Sequence, residues 1–135
     1  MAKPTVAASL AWQGDLRFLA STNGGSIAVD GDSKTAVSPV EALAVSLAAC
    51  MAADVVAILT KGRHAVRALE ANLVAERAEH PPRRLTQVTI ALVIRGDVPR
   101  PAIERAIALS RDKYCSVWHS LRSDIELYTS YEVAP

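Results

Sequence analysis

The feature that most constrains this chain is a run at residues 38–61 that has the pattern of one long, almost uniformly apolar helix. Ser38 is a good N-cap, Pro39 fits the first helical position and Glu41 lies three residues after Ser38. This is a capping box with proline where its missing N–H costs nothing. Until the last two residues of the run, only Glu41 and Asp54 are charged. A helix that is apolar nearly all round lies in a membrane or is buried inside protein.

The length of this helix suits both locations, because about 20 apolar residues are enough to cross a bilayer. Its two acidic side chains and the lack of a flanking aromatic belt favour burial within protein over a membrane span. A helix of about 36 Å is longer than one small domain usually covers with its own chain. Its many alanines would let another backbone approach closely, so we expect a second copy of the chain to cover it.

Chain length and net charge limit the number of domains and the partners to be expected. The 135 residues have the size of a single domain spanning 1–135, and with 4% aromatic residues its core should be aliphatic. The net charge is +1 with acids and bases mixed along the chain, so we expect neither nucleic acid nor a membrane as a partner. The first residues lack the pattern of a signal peptide. We therefore expect a cytoplasmic protein, in which thiols stay reduced unless they are catalytic or redox-sensing.

The remaining hydrophobic pattern predicts an α+β fold with an antiparallel sheet around the long central helix. Three short strands precede that helix, two strands of an antiparallel pair follow it, and a second helix and a last strand close the chain. Glycine at position 62 is expected to end the long helix. The predicted strands are residues 5–13, 16–21, 26–29, 66–78, 85–95 and 124–133, and the predicted helices are 38–61, 101–114 and a short turn within 116–122.

The chemistry of this chain centres on its two cysteines, Cys50 in the middle of the long helix and Cys115 at the end of the second. They are either small buried hydrophobic residues or reactive thiols. Cys115 is placed to cap the next helical turn, where N–H groups stabilise a thiolate. Asp54, one turn from Cys50, would disfavour a Cys50 thiolate if it faced it. Cys115 and His119 have the spacing of half a metal site, but without a second Cys/His pair nearby we expect no metal.

Three segments of the chain resemble the OsmC/Ohr family, and most of all its OsmC-like, YhfA-type branch. The resemblance combines a P-x-E helix start, a cysteine in the middle of that helix and a distant C-[SP]-V motif, and it extends to the order of elements. It implies an OsmC-like fold and an intertwined homodimer whose central helices pack against each other. The segments are SPVEAL at 38–43, LAACMAADVV at 47–56 and KYCSV at 113–117.

The resemblance also implies an activity, because characterised family members are thiol peroxidases that prefer organic hydroperoxides. The peroxidatic role falls on Cys50, which would become a sulfenic acid, and the resolving role falls on Cys115, which would close a Cys50–Cys115 disulfide. The reductant would be a dithiol, in several members a lipoylated protein, and no cofactor or metal is required. The alternative is a non-enzymatic dimer that binds an apolar small molecule and has inert cysteines.

Two further family residues assist the peroxidatic thiolate: an arginine in the early strands and a glutamate at the start of the central helix. Arg17 is the only arginine before the helix and is the candidate for the first role. The family's peroxidases have the glutamate directly after the proline, whereas here Val40 follows Pro39 and Glu41 comes one residue later. One residue turns a side chain by about 100° on a helix. Ser116 also replaces a proline that many members have.

Overall fold

The computed structural model describes residues 3–135, which form two compact units that divide between Leu43 and Ala44. Each unit contains a three-stranded β-sheet. The long helix begins in the first unit and continues through the second. The prediction of a single domain spanning residues 1–135 stays a prediction.

The first unit is a meander of three antiparallel strands, β1 (Ser9–Trp12), β2 (Arg17–Thr22) and β3 (Gly25–Asp30). The first turn is tight because Gly14 and Asp15 adopt positive φ angles of 102° and 49°, a conformation that glycine and aspartate tolerate better than most residues. The predicted hairpin is thus confirmed, although β1 is shorter than the predicted strand.

One face of this sheet is apolar. Leu10 and Ile27 are both register partners of Ala20, and side chains two residues apart on a strand point to the same face. The side chains of Leu10 and Ile27 are 61% and 57% exposed, so the first unit does not cover this face with its own residues. The side chains that share the face are Leu10, Trp12, Phe18, Ala20, Ile27 and Val29.

The long helix, α1 (Pro39–Lys61), begins at the predicted capping box. The Ser38 N–H donates to Glu41 Oε1 at 2.8 Å, and the Glu41 N–H donates to Ser38 Oγ at 3.1 Å. The helix ends at Lys61, directly before Gly62 as predicted, and the left-handed conformation that follows falls on Arg63 (φ 62°). At 23 residues, α1 is about 35 Å long.

Burial on α1 follows one narrow stripe with a spacing of four residues, and the remaining faces are largely open within the chain. By length and composition alone, α1 is apolar enough to cross a membrane. The stripe packs into the core of the second unit, as expected for a core helix. Its members are Leu47, Met51, Val55 and Leu59.

The second unit carries a mixed sheet. Strands β4 (Ala65–Arg77) and β5 (Leu85–Asp97) pair antiparallel as predicted, but β5 and β6 (Glu126–Ala134) pair parallel. The expectation of an antiparallel sheet is therefore wrong for this pair. A parallel neighbour needs a long crossover connection, and here α2 (Arg100–Leu109) and the segment after it provide the connection.

The alternation predicted for β5 is confirmed, because its inward side chains are buried together with those of α2. Together with the α1 stripe, these aliphatic side chains form most of the core of the second unit. The core members from β5 and α2 are Leu85, Val88, Ile90, Leu92, Ile94, Ile103, Ala106 and Ile107.

The segment after α2 is not the continuous α-helix that the sequence predicts for residues 101–114. It widens into a π-helical turn, Ser110–Tyr114, which ends where the Cys115 N–H donates to the Ser110 carbonyl oxygen at 2.8 Å. A short helix, α3 (Ser116–His119), follows. Such π turns are rare and frequently occur at functional sites.

Candidate active site

The fold of the second unit brings Cys50 and Cys115 together. Both are free cysteines, and their Sγ atoms lie within 4.8 Å of each other although the residues are far apart in sequence. Cys50 is half-buried on α1 beside the buried Met51, and Cys115 follows the π turn. A disulfide requires sulfur atoms about 2 Å apart. The two sulfurs must therefore approach by less than about 3 Å to form this bond.

Cys115 is fully buried, and its environment favours the protonated thiol. Burial raises the pKa of Cys115 to about 11, and the neighbouring Cys50 and Asp54 act in the same direction. The Trp118 N–H donates to Cys115 Sγ at 3.4 Å, which by itself lowers the pKa. The predicted cap at α3 is thus present and its N–H favours the thiolate as expected, but desolvation outweighs this one donor.

The structure adds a carboxylate and a hydroxyl to the pair. Ser110 is fully buried, and its Oγ donates to Asp54 Oδ2 at 2.8 Å. An Asp54 carboxylate oxygen lies within 4.8 Å of both sulfur atoms, so Asp54 does face Cys50. In the sequence, Asp54 stood out because it is an isolated acidic residue in an apolar helix. Ser110 had no such signal, because a serine within a helical stretch is ordinary.

Cys50, Asp54 and Cys115 also form a set of possible metal ligands within residues 3–135. The exposed His119 is not part of this set. No group of three or more ligands among residues 3–135 includes the Cys115–His119 half-site considered from sequence, and the oxygen ligand of the observed set comes from α1.

Asp54 also lines an open cleft of about 650 Å³ on the surface of the second unit. Lys61 and Arg105 contribute cationic side chains to this cleft, and Tyr114 and Leu109 contribute the side next to the π turn. The carboxylate therefore borders solvent on one side and the thiol pair on the other.

The other two predicted site residues belong to the first unit, where their contacts are local. The Arg17 guanidinium donates to the Gln13 carbonyl oxygen at 3.2 Å and lies 3.9 Å from the Asp15 carboxylate. Glu41 accepts hydrogen bonds from Ser33 and from the capping residue Ser38, and these bonds hold the pKa of its carboxyl below the ordinary value. Roles for Arg17 and Glu41 at the thiols stay predictions.

Comparison with known proteins agrees with this geometry. The family model described as "OsmC-like protein" matches residues 31–130, which include both cysteines. The chain belongs to the OsmC-like family. Protein YhfA of Escherichia coli K12 is 40% identical over 129 residues, covering 93% of this chain and 96% of that protein. The predicted membership of the OsmC family and its YhfA-type branch is therefore confirmed.

Solved structures extend the comparison to the whole OsmC-like fold. A hypothetical protein from Aquifex aeolicus superimposes with a TM-score of 0.91 at 31% identity, covering 98% of each chain. An organic hydroperoxide resistance protein OsmC from Legionella pneumophila superimposes with a TM-score of 0.71 at 16% identity, covering 98% of this chain and 100% of that one. These superpositions confirm the OsmC-like fold, in which α1 contributes its buried stripe to the core of the second unit.

Proposed function

We propose that this protein is a cytoplasmic thiol peroxidase that reduces organic hydroperoxides in defence against oxidative stress. The observation that supports the proposal best is the proximity of the Cys50 and Cys115 sulfurs in one unit of an OsmC-like fold. Two reduced thiols at this distance can store two electrons as a disulfide. The hydroperoxide resistance named for the Legionella pneumophila relative is consistent with this chemistry.

In the proposed reaction, the Cys50 thiolate attacks the distal oxygen of the hydroperoxide. A sulfur–oxygen bond forms and the oxygen–oxygen bond breaks, and the departing alkoxide takes up the proton that the Cys50 thiol released and leaves as the alcohol. Cys50 is then a sulfenic acid, and Cys115 condenses with it to a disulfide and water. A dithiol, such as a lipoylated protein, would reduce the disulfide and return both thiols.

We propose further that the active form is an intertwined homodimer. Two surfaces support this: the faces of α1 that its own chain leaves open, and the apolar face of the β1–β3 sheet. On α1, Val45 is 60% exposed, and on the sheet Trp12 is 68% exposed. Large contiguous apolar surfaces of this kind mark protein interfaces. A second copy of the chain would cover both surfaces.

The proposal keeps Arg17 as the cation that favours the Cys50 thiolate in the assembled protein. Its side chain is 45% exposed, and its guanidinium lies 3.9 Å from the exposed carboxylate of Asp15, so the local ion pair is weak. Glu41 is proposed to act by steering Arg17, since its own hydrogen bonds tie it to the start of α1. A thiolate beside Asp54 needs such a cation, because the carboxylate opposes its charge.

Consumption of cumene hydroperoxide with a dithiol reductant tests the proposal. Wild type should turn over, Cys50→Ser should show no turnover above background, and Cys115→Ser should lose sustained turnover while it still reacts once per chain. Met51→Leu, a volume-conserving change next to Cys50, is the matched control and should retain activity. Equal rates for wild type and Cys50→Ser would overturn the proposal.

A second candidate function is a non-enzymatic dimer that binds an apolar small molecule. It is favoured by an open groove of about 920 Å³ between α1 and β4, lined largely by alanine and valine side chains that include Ala53 and Val56. An apolar fluorescent probe would bind saturably to this protein whether or not its thiols react. Tight probe binding together with unreactive cysteines would favour this function over the peroxidase.

A further inference from the structure

We propose that Asp54, held in place by Ser110, is the proton acceptor through which Cys115 resolves oxidised Cys50. This inference rests on the proposed function for the identity of the oxidised state. The resolving step is nevertheless a reaction between the two thiols alone, and it can be tested without a peroxide.

The resolving step needs a base because Cys115 is a buried, neutral thiol. Only the thiolate attacks another sulfur efficiently. With the pKa of Cys115 raised to about 11, the Cys115 thiolate is rare at pH 7. A carboxylate that takes the proton as the sulfur attacks removes the need for this rare prior ionisation.

Asp54 lies where such a base is required. Its carboxylate oxygen is within 4.8 Å of both sulfurs, a separation that a small shift or one bridging water converts into a proton path. The Ser110 hydroxyl donates to Asp54 Oδ2 at 2.8 Å, which orients the carboxylate.

Ser110 contacts both residues of the proposed proton transfer, Asp54 and Cys115. Its side chain holds Asp54 at 2.8 Å, and its carbonyl oxygen accepts the Cys115 N–H at 2.8 Å across the π turn. In an ordinary α-helix, that carbonyl would bond a residue one position earlier. The π turn therefore sets Cys115 and Asp54 relative to the same residue, and this explains its location at the end of α2.

The titratable and charged groups around Cys115 come from more than one element. Cys50 and Asp54 face it from α1, and the cleft on the far side of Asp54 carries Lys61, Arg105 and Tyr114. Between the two thiols and this cleft, the Asp54 carboxylate is the group that can hold a proton released by Cys115.

The step balances without a further reactant. The Cys115 sulfur–hydrogen bond breaks and the proton passes to Asp54, while the sulfur electron pair forms the bond to Cys50 Sγ. The sulfur–oxygen bond of the Cys50 sulfenic acid breaks, and the departing hydroxide takes the proton back from Asp54 as water. Cys115 is oxidised and Cys50 is reduced by the same amount, and Asp54 ends unchanged.

Whether Asp54→Asn slows or accelerates disulfide formation distinguishes a proton acceptor from a purely electrostatic role of Asp54. The Asp54 charge raises the pKa of Cys115, so its removal alone would increase the thiolate population and accelerate disulfide formation. Loss of a proton acceptor would slow it. The variant therefore gives opposite results under the two accounts.

The experiment uses Ellman's reagent, which first forms a mixed disulfide on the more exposed Cys50 and releases one thionitrobenzoate. Attack by Cys115 then releases a second. In Asp54→Asn the first release should be unchanged or faster, and the second should be slower by about tenfold or more at pH 7. Asp112→Asn makes the same change at an exposed residue of the π turn and is the matched control; it should match wild type in both phases.

The pH dependence gives a second readout that a structural role would not change. In Asp54→Asn the second release should rise about tenfold per pH unit, because only ionised Cys115 can attack; the wild-type dependence should be shallower. Ser110→Ala should slow the second release less than Asp54→Asn while keeping the shallow profile, because it only loosens the carboxylate. If Asp54→Asn fails to fold, Ser110→Ala and the wild-type profile carry the test.

Three results would overturn the inference: an unchanged or faster second release in Asp54→Asn, a wild-type rate that rises tenfold per pH unit, or a Ser110→Ala variant that matches wild type at every pH. Failure of the peroxidase proposal looks different. Wild type would then form no sulfenic acid with cumene hydroperoxide, while the two thionitrobenzoate phases would still report on Asp54.

Discussion

The two units of this chain differ in how much of their apolar surface they bury themselves. Among residues 44–135, buried aliphatic side chains of α1, β5, α2 and β6 form a continuous core. Among the described residues up to 43, no hydrophobic side chain is buried, and the buried residue is Asp30. The second unit is therefore organised by its own hydrophobic core, and the first by strand pairing and a hydrogen-bonded loop.

This difference separates the proposed chemistry into two parts. The second unit holds Cys50, Cys115 and Asp54 on elements that its own core fixes. The first unit carries Arg17 and Glu41, and its apolar sheet face requires a covering that the unit does not provide. We therefore expect the thiol chemistry to depend on packing within one chain, and its activation by Arg17 to depend on assembly.

The largest expected effect is on the stability of the second unit. Leu47→Ala removes a side chain with no exposed surface and should lower the free energy of unfolding by about 2–5 kcal/mol. Leu10→Ala, at a largely exposed site on the first sheet, should cost less, and its cost should vary with protein concentration through the dimer. Urea unfolding at two protein concentrations measures the free energy of unfolding of both variants. Equal losses of unfolding free energy in the two variants, independent of protein concentration, would contradict this difference between the two units.

The next effect concerns assembly through the first sheet. Ile27→Asp places a charge on the apolar face, and Ala28→Asp places it on the opposite face of the same strand. Because burial of an unpaired charge is costly, we expect Ile27→Asp to weaken the dimer at least tenfold more than Ala28→Asp. Sedimentation at micromolar concentration should give wild type twice the 14.4 kDa chain mass. A wild-type monomer would overturn the proposed dimer.

A smaller effect is expected at Arg17. If its guanidinium supports the Cys50 thiolate in the dimer, Arg17→Ala should slow alkylation of Cys50 by iodoacetamide several-fold at neutral pH. Arg95→Ala changes another exposed arginine and should leave the rate unchanged. An alkylation rate in Arg17→Ala that equals wild type would leave Arg17 as an ordinary strand residue.

The smallest expected effect concerns how acid destabilises the loop after β3, residues 31–37. Backbone N–H donors from Thr35, Asp32 and Lys34, with the Thr35 hydroxyl, lower the pKa of Asp30 from 3.8 to about 2. A carboxyl whose pKa is depressed by folding stabilises the folded state above pH 3.8, and this stabilisation is lost as the pH falls towards 2. Asp30→Asn should remove this part of the acid sensitivity, as measured by amide exchange in residues 31–37 across that interval. Unchanged acid sensitivity in the variant would contradict the assignment.

The features that sequence predicts correctly are those set by nearby residues. The capping box at Ser38 and Glu41 involves residues three apart, and the β5 alternation follows the period of a strand. The tight turn at Gly14 is equally local. For these elements, the physical cause lies within a few residues of its effect.

The features that sequence reasoning missed depend on contacts across the chain. The Ser110–Asp54 bond joins residues 56 positions apart, and the parallel pairing of β6 with β5 depends on where α2 returns the chain. The raised pKa of Cys115 was not predicted for the same reason, since burial in the folded chain is its largest cause. Proximity of the two cysteines could be expected from the family resemblance but not from spacing.

The measurement that tests the central claim most directly is the redox state of Cys50 and Cys115 after one equivalent of cumene hydroperoxide, read by non-reducing mass spectrometry. We predict that wild type loses both free thiols and forms a Cys50–Cys115 disulfide within one chain. Cys115→Ser should stop at a Cys50 sulfenic acid that a 1,3-dione traps, and Cys50→Ser should stay reduced. A wild-type chain that keeps two free thiols after prolonged exposure would contradict the claim that Cys50 is a peroxidatic cysteine.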